Sequence, residues 1–321
     1  MHRMILTLAL LFAAMVGATP AGAQGWPSRP VHFLIPLGPG AGVDITARLF
    51  ADKLSQRWGQ PVVVENRPGG DGVVAINAVI SAKDDHTLLW GPTASMVGHP
   101  YTLDKLPYDP KDLVPVARVT STVVTIAVPT SLNVNSLKEL FERVRQEPGK
   151  LNWTSVVSVT DIVMEAFLKK AGLQMVRIPY KNPAGAVVDL AEGRLQMYSS
   201  AYAIVRPQLA GGRIKVIAVQ NRGRVQGLDL PTVAEAGYPD LNFDGLVGVM
   251  VARSSSLPEA ARDRIAADIK AVAADALVAE RLAATAQINN PGNAAEFAAS
   301  MEEQTANMEA VAKVVGMQKA R

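Results

Sequence analysis

The chain has 321 residues, 49% apolar and 19% charged; this composition supplies a sizeable core, excludes a disordered chain, and at this length calls for two domains. Its net charge of +3 is carried by scattered basic residues, which excludes the clustered footprint that tracks a phosphate backbone, so no nucleic-acid partner is expected. Cysteine is absent, which excludes disulfides, a thiol nucleophile and a lipoprotein anchor.

His2 and Arg3 precede an apolar run from Met4 to Val16, too short to span a bilayer, and Ala21-Gly22-Ala23 fits the small-x-small rule for cleavage. Residues 1–23 read as a signal peptide removed after Ala23, leaving a periplasmic chain that starts at Gln24. A buried N-terminal helix competes with that reading, and Pro20 argues against it. Val31 to Ile35 reads as a strand, Gly38-Pro39-Gly40 and Gly42 as a loop, and Ile45, Leu49, Phe50 and Leu54 recur at helical spacing up to Gly59. Pro61 to Val64 is the next strand, Pro68-Gly69-Gly70 a turn, Val73 to Ile80 a helix and Thr87 to Trp90 a third strand. Such alternation predicts parallel α/β architecture.

Two extended pieces follow, Val116 to Val119 and Val123 to Val128, then a helix from Ser136 to Gln146 capped by Ser136. A short strand is expected over Leu151 to Thr154, a helix over Asp161 to Lys170, a strand over Met175 to Ile178 and a helix over Ala184 to Glu192. Leu195 to Ser199, Ile214 to Val219 and Phe243 to Val251 read as strands. From Pro258 the chain reads as helical, with a break at Pro291-Gly292. Two α/β units and this tail predict a discontinuous lobe 1 (residues 24–121 and 246–321) and a lobe 2 (122–245). Two crossing segments would then form a hinge.

Enzyme chemistry finds little support. Gly38-x-Gly40-x-Gly42 follows a strand and Glu65 ends the next one, near the context of a nicotinamide-dinucleotide site, but Val43 stands where the third glycine belongs. No G-x-S-x-G or H-E-x-x-H occurs. Of the histidines beyond the signal peptide, His32 lies in a strand, His86 reads as solvated beside Asp84 and Asp85, and His99 reads as a turn residue before Pro100. None has metal-ligand spacing, so no metal or cofactor is expected.

Five ordered segments carry a resemblance: WPSRPVHFLIPLGPGAGVD (Trp26 to Asp44), LSQRWGQPVVVENRPGGDG (Leu54 to Gly72), KLPYDPKDLVPVA (Lys105 to Ala117), IPYKNPAGAVVDLAEGRLQ (Ile178 to Gln196) and LPTVAEAGYP (Leu230 to Pro239). With them the chain resembles the tripartite tricarboxylate transporter substrate-binding proteins, or Bug family, of the periplasmic binding protein type II fold. The resemblance implies a two-lobed α/β Venus flytrap that captures a small carboxylate in the cleft between lobes, delivers it to the permease subunits of a tripartite transporter, works as a monomer, and is not an enzyme. A receptor that docks on a sensor kinase is the competing role.

In that family one loop–helix junction per lobe grips the ligand. In lobe 1 this implies Gly40, Ala41, Gly42 and Val43, where glycines let a ligand approach the backbone at a helix N-terminus. Asp44 is expected to cap that helix, and Thr93, after the third strand, to donate its hydroxyl. In lobe 2 the aligned stretch Thr154 to Asp161 departs from the family's glycine/serine loop and histidine. Ser155, Ser158 and Thr160 remain as donors there, while Asp161 adds negative charge beside a capping Thr160. Ser199 stands in a segment where the family has an acidic residue, which disfavours an amino-acid ligand. Trp90 and Trp153, at strand ends, read as cleft or core residues alike.

Overall fold

The computed structural model describes residues 25–155, 158–180 and 183–320; the expected signal peptide, its cleavage site and Gln24 lie outside them. Two sheets organise the chain. The first has the order β11-β4-β10-β3-β1-β2, built from β1 (Val31–Ile35), β2 (Val62–Asn66), β3 (Thr87–Pro92), β4 (Leu113–Thr122), β10 (Gly245–Ala252) and β11 (Gln287–Gly292). The second has the order β7-β6-β8-β5-β9, from β5 (Val124–Pro129), β6 (Asn152–Ser155), β7 (Val176–Arg177), β8 (Met197–Ala201) and β9 (Ile214–Val219).

The chain passes from one sheet to the other between Thr122 and Val124 and returns into β10 at Gly245, which pairs with Thr122. Because β10 enters at the crossover and runs away from it, it lies antiparallel to β3 and to β4. The sheet is therefore mixed, where alternation alone predicts a parallel one.

The helices are α1 (Gly42–Trp58), α2 (Val73–Ala82), α3 (Thr93–Thr102), α4 (Leu137–Gln146), α5 (Ser158–Lys170), α6 (Pro183–Ala191), α7 (Tyr202–Leu209), α8 (Glu259–Ala273), α9 (Ala276–Ala284) and α10 (Ala294–Val315). Ser136 caps α4 as expected, accepting from the N–H of Glu139. Three elements escape the sequence pattern. α3 carries Gly98 and Pro100 inside a helix, and α7 carries Pro207. β11 interrupts the tail expected to be helical; its Gln-Ile-Asn-Asn-Pro-Gly sequence lacks alternation, and Pro291 is tolerated because β11 is an edge strand.

Phe33, Phe50, Trp90, Val249 and Ile265 pack one face of the first sheet against α1, α8 and α9. Leu34, Ile76, Leu89, Met250 and Phe297 form the other face. Trp153 is buried with Phe141, Phe167 and Leu168 in the second unit, so both strand-end tryptophans are core residues. α10 belongs to both units: Phe297, near its start, lies over the first sheet, while Met308 and Ala312 join the core around α5. Phe297 sits so close over Gly248 that a Cβ there would fall 2.4 Å from the ring's Cε1 and 2.8 Å from the carbonyl oxygen of Ala117.

Candidate functional site

The register brings the loop ends together. β1 and β3 run parallel, and Pro92 at the end of β3 lies opposite Val247, two residues from the crossover. In the second sheet Ser155 pairs with Ser199, and Ala201 with Val124, which immediately follows the crossover. The C-terminal ends of β1, β2 and β3, and those of β6 and β8, thus point toward the crossover, where a cleft belongs in a two-lobed α/β protein.

Asp44 governs the loop after β1. Its side chain is almost fully buried and accepts from the N–H of Gly40 (2.9 Å), Nε of Arg48 (3.0 Å) and Nδ2 of Asn66 (2.8 Å). Burial alone would raise its pKa, but the hydrogen bonds from Arg48, Gly40 and Asn66, with the charge of Arg48, outweigh that and hold it below the ordinary aspartate value. The expected cap is thus corrected. Ala41 occupies the N-cap position of α1, and Asp44 reaches back from inside the first turn. It consumes the N–H of Gly40, whose φ of +83° suits glycine.

The side chain of Val43 is buried in the core, so only its backbone faces outward chemistry. The N–H groups of Gly42 and Val43 find no acceptor among the described residues; they are the orphan donors of a helix start. A Cβ on Gly42 would lie 2.9 Å from Nε2 of Gln287. Gln287 sits on β11 opposite Thr122, and its Oε1 accepts from Thr120 (3.4 Å) and Thr122 (3.3 Å). Sequence reasoning missed this glutamine because it read the segment as helix.

Beside this junction a cavity of about 250 Å³ opens between Pro36, Gly38, Gly69, Asp71, Gly72 and Ser95. Its floor is fixed from below: Nε2 of His99 lies 3.0 Å from the carbonyl oxygen of Asp71, and Nδ1 lies 2.7 Å from the hydroxyl of Tyr108. His99 is thereby a buried helical residue and not a turn residue. His86 is also buried, with Nε2 accepting from the N–H of Ser28 and Nδ1 beside Asp85, which corrects the expectation of a solvated ring.

The hydroxyls singled out in the sequence are largely engaged within the protein. Thr93 is fully buried and donates to Oε1 of Gln304 on α10 at 2.6 Å; Nε2 of that glutamine donates to the carbonyl oxygen of Asp244 (2.6 Å). Ser199, also fully buried, donates to Gln220, which in turn donates to the carbonyl oxygen of Leu241.

α5 begins at Ser158, three residues earlier than predicted, so Thr160 and Asp161 lie inside its first turn and do not cap it. Thr160 donates to Ser155 (2.8 Å) and Ser155 donates to Oδ1 of Asp161 (2.7 Å). Arg177 pairs with Oδ2 of Asp161, so the acid does not present the unpaired charge expected of it. Burial still lifts its pKa above the ordinary value, against the pull of Ser155 and Arg177.

Two α/β units joined by a double crossover define the two-lobed periplasmic binding protein fold. The chain belongs to the TctC family, described as the tripartite tricarboxylate transporter family receptor, which it matches over residues 46–317. It is 32% identical to a UPF0065 protein of Bordetella bronchiseptica over 94% of this chain and 90% of that one. Among solved structures, the R. palustris protein Rpa4515 with adipate superposes with a TM-score of 0.80 at 28% identity, covering 91% of this chain and 99% of that one. MatC from Rhodopseudomonas palustris with bound malate shares the fold at 23% identity, with a TM-score of 0.74 and coverage of 89% and 99%. The family is periplasmic and its members bind solutes; this chain is a binding protein, not an enzyme.

Proposed function

We propose that the protein captures a small organic acid of about adipate's size in the cleft between lobe 1 (residues 24–121 and 246–321) and lobe 2 (122–245), and delivers it to the permease subunits of a tripartite tricarboxylate-type transporter. It works as a monomer in the periplasm, after cleavage behind Ala23. The observation that carries this reading is the pair of unpaired N–H groups of Gly42 and Val43 at the start of a 17-residue helix. Donors and helix dipole together favour a carboxylate at that point. The adipate held by a 28% identical structural relative supports the size and charge. Closure follows from contact with both lobes, since only a ligand that binds the closed state better shifts the equilibrium.

Isothermal titration of residues 24–321 with adipate and with its neutral analogue adipamide tests this. Saturable binding of the diacid and none of the diamide is expected. Equal binding of both, or binding of neither, would refute a carboxylate site of this size.

A further inference from the structure

A second cavity, of about 480 Å³, lies between α3, α5, α10 and the segment that returns through Pro239 to Leu246. It touches the loop–helix junctions only through Ala94 and Val159, and its volume falls within the range of small-molecule sites. One wall is apolar: Val97, Val163, Leu246, Met308 and Val311 line it. The rest of its lining is largely polar, and its charges divide unevenly.

Asp244 and Glu303 are both paired with Arg222, and Asp240 is paired with Lys170. Arg118, on β4, is the exception. Its Nε donates to the carbonyl oxygen of Asn290 (3.0 Å) and its Nη1 to the hydroxyl of Ser300 (2.7 Å), both neutral partners. Among the described residues no carboxylate lies within 4.0 Å of it. Glu296 lies nearby across Gly292 but accepts from the N–H of Asn293; a half-buried guanidinium facing a cavity with no carboxylate in contact can take one from a ligand, because an arginine fork is matched by a carboxylate.

We infer that this cavity is a second binding site, for a monocarboxylate with an apolar body: the carboxylate pairs with Arg118, and the chain lies against Val163, Met308 and Val311. The paired acids repel a second negative charge, which selects a monoacid over a diacid. Its cationic partner, Arg118, differs from the Gly42 and Val43 donors proposed for the cleft, so the inference does not rest on the cleft's ligand.

Octanoate is the probe, titrated into the intact protein at neutral pH with and without excess adipate. One saturable site is expected, unaffected by adipate, with intermolecular NOEs from the octanoate chain to the Met308 methyl group. Arg118→Gln should weaken octanoate at least tenfold. Val311→Phe, which fills the apolar wall and leaves Arg118 intact, should do the same and keeps the test open if the first variant does not fold. Absence of saturable binding, displacement by adipate, or wild-type affinity in either folded variant would overturn the inference.

Discussion

Asp44→Ala is the perturbation that tests the lobe 1 junction most directly. The carboxylate accepts three hydrogen bonds, from Gly40, Arg48 and Asn66, and a bond to a charged group contributes about 1.5–3 kcal/mol. The full sum is not lost. Arg48 is half exposed, Gly40 is exposed, and Asn66 keeps its bond to the carbonyl oxygen of Leu37, so water replaces much of what is removed. A net destabilisation of about 2 kcal/mol follows, or a fall in Tm of roughly 4–8 °C for a chain of this size.

The larger effect falls on binding. Without Asp44 the Gly40 turn is no longer held, and re-ordering that residue on binding costs about 1–2 kcal/mol, so adipate should bind about 5–30-fold more weakly. Acid sensitivity tracks the same group. Its folded pKa lies below the unfolded value, so its stabilisation is present above the unfolded value and lost as pH falls through the folded one. Calorimetry of both proteins with adipate checks this. A variant that loses Tm yet binds adipate as the wild type does would show that Asp44 does not organise the junction.

Gly248→Ala places a methyl group inside the contact with Phe297 and against the carbonyl oxygen of Ala117, which cannot yield; a loss of about 1–3 kcal/mol in urea unfolding is expected, and an unchanged midpoint would contradict it. Thr93→Val and Gln304→Leu should each cost about 1 kcal/mol and couple by a similar amount in a double-mutant cycle, since they break one shared bond; strict additivity would show that the bond does not form in solution. Arg177→Met removes the positive partner of Asp161 and should raise that carboxyl's pKa further in an NMR titration. A raised carboxyl stabilises the fold below its unfolded pKa and loses that effect as pH rises through the folded value, so the variant should lose about 1 kcal/mol at pH 7 and less at pH 4.

The architecture was largely legible because its signals are local. Runs such as Val62-Val63-Val64 and the α1 periodicity from Ile45 to Leu54 map onto β2 and α1. β11 was hidden because an edge strand needs neither alternation nor β-branched residues. α3 was hidden because Gly98-His99-Pro100 reads as a turn until tertiary packing of Val97 and Tyr101 overrides propensity. For the proposed site, the glycine turn and the helix that follows it could be read from sequence, but the partners of the nearby hydroxyls could not. Thr93 meets Gln304 and Ser199 meets Gln220 across long separations, and no spacing rule reports such pairs. Arg177 beside Asp161 belongs to the same class of non-local contact.

Pro36 to Gly42, Pro68 to Gly72, Pro92 to Ser95 and Ser199 to Tyr202 hold one charge, Asp71, while Arg67, at the head of the second segment, is paired with Glu65. On the proposed reading, a carboxylate there is held by backbone N–H groups and a helix dipole, with the hydroxyls of Thr93 and Ser199 turned to internal partners. Fixed dipoles of this kind are pre-organised and lose little entropy on binding, and they are short-ranged. Exposed cationic side chains instead act over a Debye length of about 8–10 Å, and their contribution falls as salt rises. Adipate affinity should therefore change less than about threefold between low and high salt, because enclosed dipole contacts are screened far less than exposed charges. A steep loss with salt would mean that a cation reaches the ligand on closure.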